Sequence, residues 1–242
     1  MSRVGIIVAM QAEARCITAQ RLPFDQSLPL RENFFIRISG MGGVAAQRAA
    51  AALHGEQHMD ALISFGVAGA LQEDLQSGDL VLPDSIVGDR IYPTDVDWRM
   101  RVEQCLPVGA GIRVVNRAVA HSRQVQSTAA GKRALAAATH ACAVDMESSA
   151  IAAVAADAGI PFIAVRAITD PVQISPPAAL MGALQPDGSV HFARLMALLL
   201  KRSVGLGELL RLAPGMRAAC ATLKSVIRHA ETELGRPPRP AA

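Results

Sequence analysis

The segment A-C-A-V-D-M-E-S-S-A-I-A-A-V-A-A-D-A-G-I-P-F-I-A-V-R-A-I-T-D, Ala141 to Asp170, decides how this chain is read. An apolar run over 141–144 ends in Asp145-Met146-Glu147. Small residues follow at helical length, and a second apolar run, Pro161 to Ile168, ends in Thr169-Asp170. This pattern predicts a strand, a helix and a second strand. Open α/β sheets bind ligands at the carboxyl ends of their strands. The acids of this unit can therefore face one small molecule.

Working outward, strands are expected at 3–10, Phe34 to Ser39, Asp60 to Gly66, Asp79 to Val87 and Gly111 to Ala120. Helices are expected from near Gln11, from Gly43 to about Leu53, and over Ala129 to Thr139. Two strands end in glycine turns, Gly40-Met41-Gly42-Gly43 and Gly66-Val67-Ala68-Gly69. Residues 89–110 read as irregular. A long proline-bearing loop is expected over 171–188, then helices at 189–203, 206–212 and 214–234. The last places Pro214 in its first turn, where proline is tolerated. Residues 235–242, with three prolines, are expected to be disordered. The fold class is α/β, with 1–203 as the catalytic domain and 204–234 as a helical extension packed on it.

The chain has 242 residues, of which 51% are hydrophobic and only 3% aromatic, so Ala, Val, Leu and Ile must fill the core. The net charge of +3 is too low to argue for nucleic acid. Residues 201–242 hold eight Lys/Arg against three Asp/Glu. That imbalance reads either as a solvated basic face or as weak attraction to acidic lipid or an acidic partner. Cys16, Cys105, Cys142 and Cys220 lack the spacing of a zinc site and read as core residues in a reducing, cytoplasmic compartment. No metal or cofactor is expected, and no run is long enough to span a membrane.

Each motif has a plain reading beside a chemical one. The glycines at Gly40, Gly42 and Gly43 can serve close packing, or can open a helix N-terminus to an anion such as phosphate. Glu13 is either a solvated helix acid or an activator of water. Glu147 can accept two hydrogen bonds from paired ribose hydroxyls, with Asp145 in support. Asp170 either caps a turn or, partly buried, has a raised pKa and donates a proton.

Together these residues resemble the purine nucleoside phosphorylase and uridine phosphorylase superfamily over roughly residues 3–202. The branch they most resemble cleaves methylthioadenosine and S-adenosylhomocysteine. The anchors are Gly5 to Glu13, Ser39 to Gly42, Gly66 to Leu71, Gly78 to Val81, Val144 to Glu147 and Val165 to Asp170. The resemblance implies a three-layer α/β/α fold with a twisted mixed central sheet. It implies Asp170 as general acid toward N7 of adenine and Glu147 on the ribose hydroxyls. Met146 would pack on the sugar, and Glu13 would activate the attacking water. Val67, Gly69 and Arg166 fall at further substrate-binding positions. A homodimer is implied by the same branch.

Ser64 and Val67 stand where family phosphorylases help hold phosphate, which favours water as nucleophile. Segments 144–148, 176–180 and 185–190, with the basic tail, are similar to the hopanoid-biosynthesis-associated nucleoside phosphorylase-like proteins. That likeness implies adenosylhopane, a lipid-linked nucleoside, as substrate at the inner face of the membrane. Phosphorolysis, a methylthioadenosine/S-adenosylhomocysteine nucleosidase, and a nucleoside-binding module without catalysis are the alternatives.

Overall fold

The computed structural model describes residues 2–107, 111–174 and 206–238, with the backbone alone over 206–212. In chain order the elements are β1 (Val4–Val8), α1 (Gln11–Ile17), β2 (Leu28–Arg31), β3 (Phe34–Ile38), α2 (Gly43–Gln57), β4 (Ala61–Ala70), β5 (Leu80–Val81), β6 (Ser85–Val87) and β7 (Ile91–Pro93). There follow α3 (Val96–Gln104), β8 (Val114–Val115), β9 (Val119–His121), α4 (Ala129–Thr139), β10 (Ala143–Asp145), α5 (Ser148–Asp157), β11 (Phe162–Asp170) and α6 (Leu206–Leu234).

The strands form one mixed sheet covered on both faces, which is why β1, β3 and β11 are buried along almost their whole length and are mostly apolar. Alternation sorts their side chains. Val4, Ile6 and Val8 join Ala14 of α1, Trp98 and Val102 of α3, and Ala219, Leu223, Val226 and Ala230 of α6. Ile7 and Leu62 join Ala46, Ala49, Ala50 and Leu53 of α2 and Ile151, Ala152 and Ala155 of α5. The result is the expected three-layer α/β/α arrangement, with alanines filling most of the α2 and α5 contacts.

β4 is the hub. It pairs in parallel with β1 on one edge and with β11 on the other. The β1 ladder reaches only to Ser64, and β10 joins the same edge, antiparallel, only from Gly69 onward. The sheet therefore splits along Phe65–Ala68, leaving part of one strand edge free of a strand partner.

Several local expectations change. Gly66 to Gly69 is not a turn: β4 runs on to Ala70, because small residues there leave room for side chains packed over the strand. The runs expected at 79–87 and 111–120 each divide into two short strands, and β2 is an edge strand the reading did not include. Residues 89–110 contain β7 and α3, the latter capped by Asp95, which accepts from Trp98 N at 2.8 Å. α6 passes through Pro214 as one helix. A proline removes one backbone hydrogen bond without ending a helix held by packing elsewhere. Leu223, Ile227, Ala230 and Leu234 of its apolar stripe are buried in the core, while Arg217, Lys224 and Arg228 are exposed. Arg101 of α3 donates to the Arg236 carbonyl at 2.7 Å and pairs with Glu233, which places the first residues after α6. The loop expected over 175–188, the helix expected at 189–203 and the disorder expected at 239–242 lie outside the described residues.

Candidate active site

Glu13 enters from α1 and is buried, 3% exposed. Its Oε2 accepts from the Ala9 and Met10 amides at 2.8 and 2.9 Å, and its Oε1 accepts from Val67 N at 3.0 Å. That last bond fills the gap in the sheet: a carboxylate stands where a strand would. Burial raises the Glu13 pKa, opposed by the Arg166 charge and by the three amides. Gly66 is what admits the carboxylate, since a Cβ there would overlap Glu13 and lie 2.9 Å from Arg166 Nη1.

Glu147 follows β10 and is partly buried. Its Oε1 accepts from Gly42 N at 2.7 Å. Gly42 has φ +93°, a left-handed conformation suited to glycine, and it precedes α2. The anion at the glycine turn Gly40 to Gly43 is thus the chain's own carboxylate. Burial first, then the neighbouring Asp145, push the Glu147 pKa up to about 7, with the Gly42 amide and Arg166 opposing and Glu13 adding. Met146 lies between Asp145 and Glu147, with its carbonyl facing α2 near Gly43.

Asp145 and Arg166 hold one another. Arg166 Nε donates to Asp145 Oδ2 at 2.6 Å, and its Nη2 donates to Ser64 and Ser148 hydroxyls at 2.5 and 2.9 Å. Asp145 Oδ1 also accepts the Glu147 and Ser148 amides, fixing the start of α5. Ser64 is therefore engaged within this buried network.

Asp170 closes β11 opposite Gly69 of β4. A Cβ at Gly69 would stand 3.2 Å from its Oδ2. Burial raises its pKa, against the charge and hydrogen bond of Lys132 and the hydroxyl of Thr169. Lys132 was not among the residues picked from sequence. It is 1% exposed and donates to Asp170 Oδ2 at 2.5 Å. In sequence it is one of two adjacent cations, Lys132-Arg133, in an alanine-rich helix, and nothing in that pattern says which one turns inward. His121 at the end of β9 was also missed; its Nδ1 is enclosed without a partner among the described residues, and its ring lies against Gly43.

Glu13 thus holds Val67 within the open stretch of β4, Glu147 lies near enough for the Glu13 and Arg166 charges to act on it, and Asp170 stands beside Gly69. Three residues of strand, about 10 Å, separate Gly66 from Gly69. The profile of the Phosphorylase superfamily matches residues 3–202 of this sequence. The chain belongs to the phosphorylase superfamily. Among curated relatives of this superfamily member, the 5'-methylthioadenosine/S-adenosylhomocysteine nucleosidase of Shewanella oneidensis is 24% identical over 229 residues, covering 83% of this chain and 97% of that protein.

Solved structures share the fold. The 5'-methylthioadenosine/S-adenosylhomocysteine nucleosidase of Neisseria meningitidis, in complex with methylthio-immucillin-A, matches with a TM-score of 0.72 at 17% identity over 96% of this chain and 99% of that one. The Colwellia psychrerythraea nucleosidase in complex with adenine gives 0.70 at 16% identity, over 96% of each chain. The futalosine hydrolase of Helicobacter pylori gives 0.66 at 18% identity, over 94% of this chain and 97% of that one.

Beside Gly42 opens a cleft of ≈ 970 Å³, bordered by Met41, Val44, Arg48, Tyr92, His121 and Arg123. No helix among the described residues is long and apolar enough to cross a membrane.

Proposed function

We propose that this superfamily member hydrolyses the N-glycosidic bond of a 5′-modified adenosine and releases adenine. The observation that carries the reading is the set of three acids around β4: Glu13 on Val67 N within the split, Glu147 on Gly42 N, and Asp170, at the end of β11 on the opposite edge, beside Gly69. Asp170, its pKa raised by burial, donates to N7 of the leaving base. Glu147 accepts the ribose hydroxyls and, with Glu13, stabilises the positive charge that builds on the sugar. Glu13, acceptor-only when ionised, takes the proton of the attacking water. Met146 packs on the sugar, and Arg166 with Asp145 keeps the strand ends in register. General acid catalysis at Asp170 contributes roughly 10²–10⁴-fold.

Water is favoured over phosphate on two grounds. The Gly42 amide, the anchor an incoming anion would need, already holds Glu147. Ser64 is occupied by Arg166. The 5′ substituent is apolar and large in this reading, with adenosylhopane as the preferred substrate. The cleft beside Gly42 gives such a group room, with Met41, Val44 and Tyr92 on its wall beside the polar Arg48, His121 and Arg123.

The test is adenine release from adenosylhopane and from methylthioadenosine, with and without phosphate, by the wild type and by Asp170→Asn. The reading expects phosphate-independent release, faster from adenosylhopane, and roughly 10²-fold or greater loss in the variant. Phosphate dependence makes the enzyme a phosphorylase, faster release from methylthioadenosine removes the lipid substrate, and an unimpaired Asp170→Asn removes the acid.

A further inference from the structure

Lys132 is among the largest fully buried side chains of the described residues, and it carries a charge. Its ammonium donates to Asp170 Oδ2 at 2.5 Å and to the carbonyls of Pro171 and Ile174 at 2.9 Å each, with the Asp170 carbonyl at 3.4 Å. Those three close contacts match the three hydrogens of an ammonium. A cation so deep is placed at a cost, and a plain core position would be served by a leucine. Lys132 instead ties α4 to the one acid that stands beside Gly69.

We propose that Lys132 is the positioning residue of the general acid: it fixes the catalytic proton on Oδ1 of Asp170 and holds the carboxylate that remains once the proton has gone. The inference rests on the reading of Asp170 as the acid. An ammonium has donors only, so Oδ2 must accept from Lys132 whether Asp170 is neutral or ionised. The proton of the neutral acid is left to Oδ1. The Thr169 hydroxyl lies 2.5 Å from that oxygen and 3.2 Å from the Ala68 carbonyl, so it fixes the direction of Oδ1 as well.

In the reaction the Oδ1–H bond breaks as N7–H forms, and the glycosidic electron pair leaves with the adenine. Asp170 becomes a carboxylate already bound to a cation, and solvent returns the proton before the next turnover. The ammonium thus strengthens the acid, while burial opposes it by favouring the neutral form. Among the described residues Lys132 of α4 is the one ionised group acting on Asp170; β4 faces it with Gly69, over which Val144 of β10 also packs.

The experiment compares wild type, Lys132→Met, Lys132→Arg and Asp170→Asn for adenine release from methylthioadenosine and adenosylhopane across pH, with circular dichroism and melting as folding controls. Lys132→Met is expected to lower kcat about 10–100-fold with KM little changed. The alkaline limb of its kcat profile moves upward, because Asp170 has lost the charge that favours ionisation. Lys132→Arg, which keeps the charge, retains the wild-type limb. A folded Lys132→Met with unchanged kcat and limb overturns the proposal, as does a Lys132→Arg limb displaced as far as that of Lys132→Met. Should Lys132→Met fail to fold, Lys132→Gln makes the same comparison with a neutral donor in place. If Asp170→Asn releases adenine at the wild-type rate, the acid assignment itself is at fault. If Asp170→Asn is dead while Lys132→Met keeps its limb, the fault is with Lys132 alone.

Discussion

Replacing Gly66 with alanine probes the geometry directly. The added Cβ would lie 2.7 Å from the Glu13 carboxyl carbon and 2.9 Å from Arg166 Nη1. Carbon contacts settle near 3.5 Å, so the Glu13 carboxylate must retreat by about 1 Å. Arg166 cannot give way instead, being held by Asp145, Ser64 and Ser148. The retreat stretches the bond from Val67 N to Glu13, a charge-assisted bond worth about 1.5–3 kcal/mol. Misplacing a catalytic group by 1 Å costs on the order of 10²-fold in rate. Gly66→Ala should therefore lower kcat for adenine release about 10²-fold, with overpacking costing about 1–3 kcal/mol of stability. Single-turnover adenine release and thermal melting measure both. A Gly66→Ala enzyme within about threefold of the wild-type rate would refute the claim that the absent side chain exists to seat Glu13.

Other expectations concern charge and packing. Glu147, with its pKa at about 7, must ionise to stabilise the sugar cation, so the rate should rise with pH through that value; Glu147→Gln should abolish this acidic limb along with most activity. Glu13, Glu147 and Asp170 all have raised pKa values, so the folded protein binds more protons than the unfolded chain between the ordinary carboxylate range near 4.5 and about 7. Stability of the free enzyme should fall as pH rises through that window, and a melting temperature that climbs across it would contradict the burial of these acids. Trp98 is fully buried and its Nε1 donates to the Glu233 carbonyl at 2.8 Å. Trp98→Phe should cost about 2–3 kcal/mol, seen as a melting shift of about 5–10 °C, and an unshifted melt would mean that this contact does not anchor α6.

The layers and the acids were legible because each rests on a local pattern. Apolar runs of strand length gave β1, β3 and β11, and Ala-rich stretches gave α2, α4 and α5. Glu13, Glu147 and Asp170 each follow such a run closely. What was not legible depends on which strand stops where. The Gly66 to Gly69 stretch carries the composition of a turn, yet it continues β4 because β11 pairs along it on the other edge. Lys132 is invisible for a similar reason: its role exists only because α4 crosses the end of β11. α3 was missed because its apolar residues are few and its cap, Asp95, reads equally as a turn residue.

The split in the sheet explains why Glu13 must be a glutamate, and it makes one substitution behave unlike an isostere. Its two oxygens receive three backbone donors, Ala9 N and Met10 N on Oε2 and Val67 N on Oε1. A glutamine has one acceptor oxygen and one NH₂. Turned either way, its NH₂ faces at least one of those amides with no acceptor between them. An unsatisfied buried donor costs about 1–3 kcal/mol, set against the relief of a buried charge. If the three amides outweigh that relief, Glu13→Gln should melt below the wild type at pH 7 as well as lose activity. Glu13→Ala, with space for water to satisfy the amides, should then be no less stable than Glu13→Gln. A Glu13→Gln protein that melts above the wild type would show that desolvation of the carboxylate governs this position, and that the edge of β4 does not need a charged acceptor to stay open.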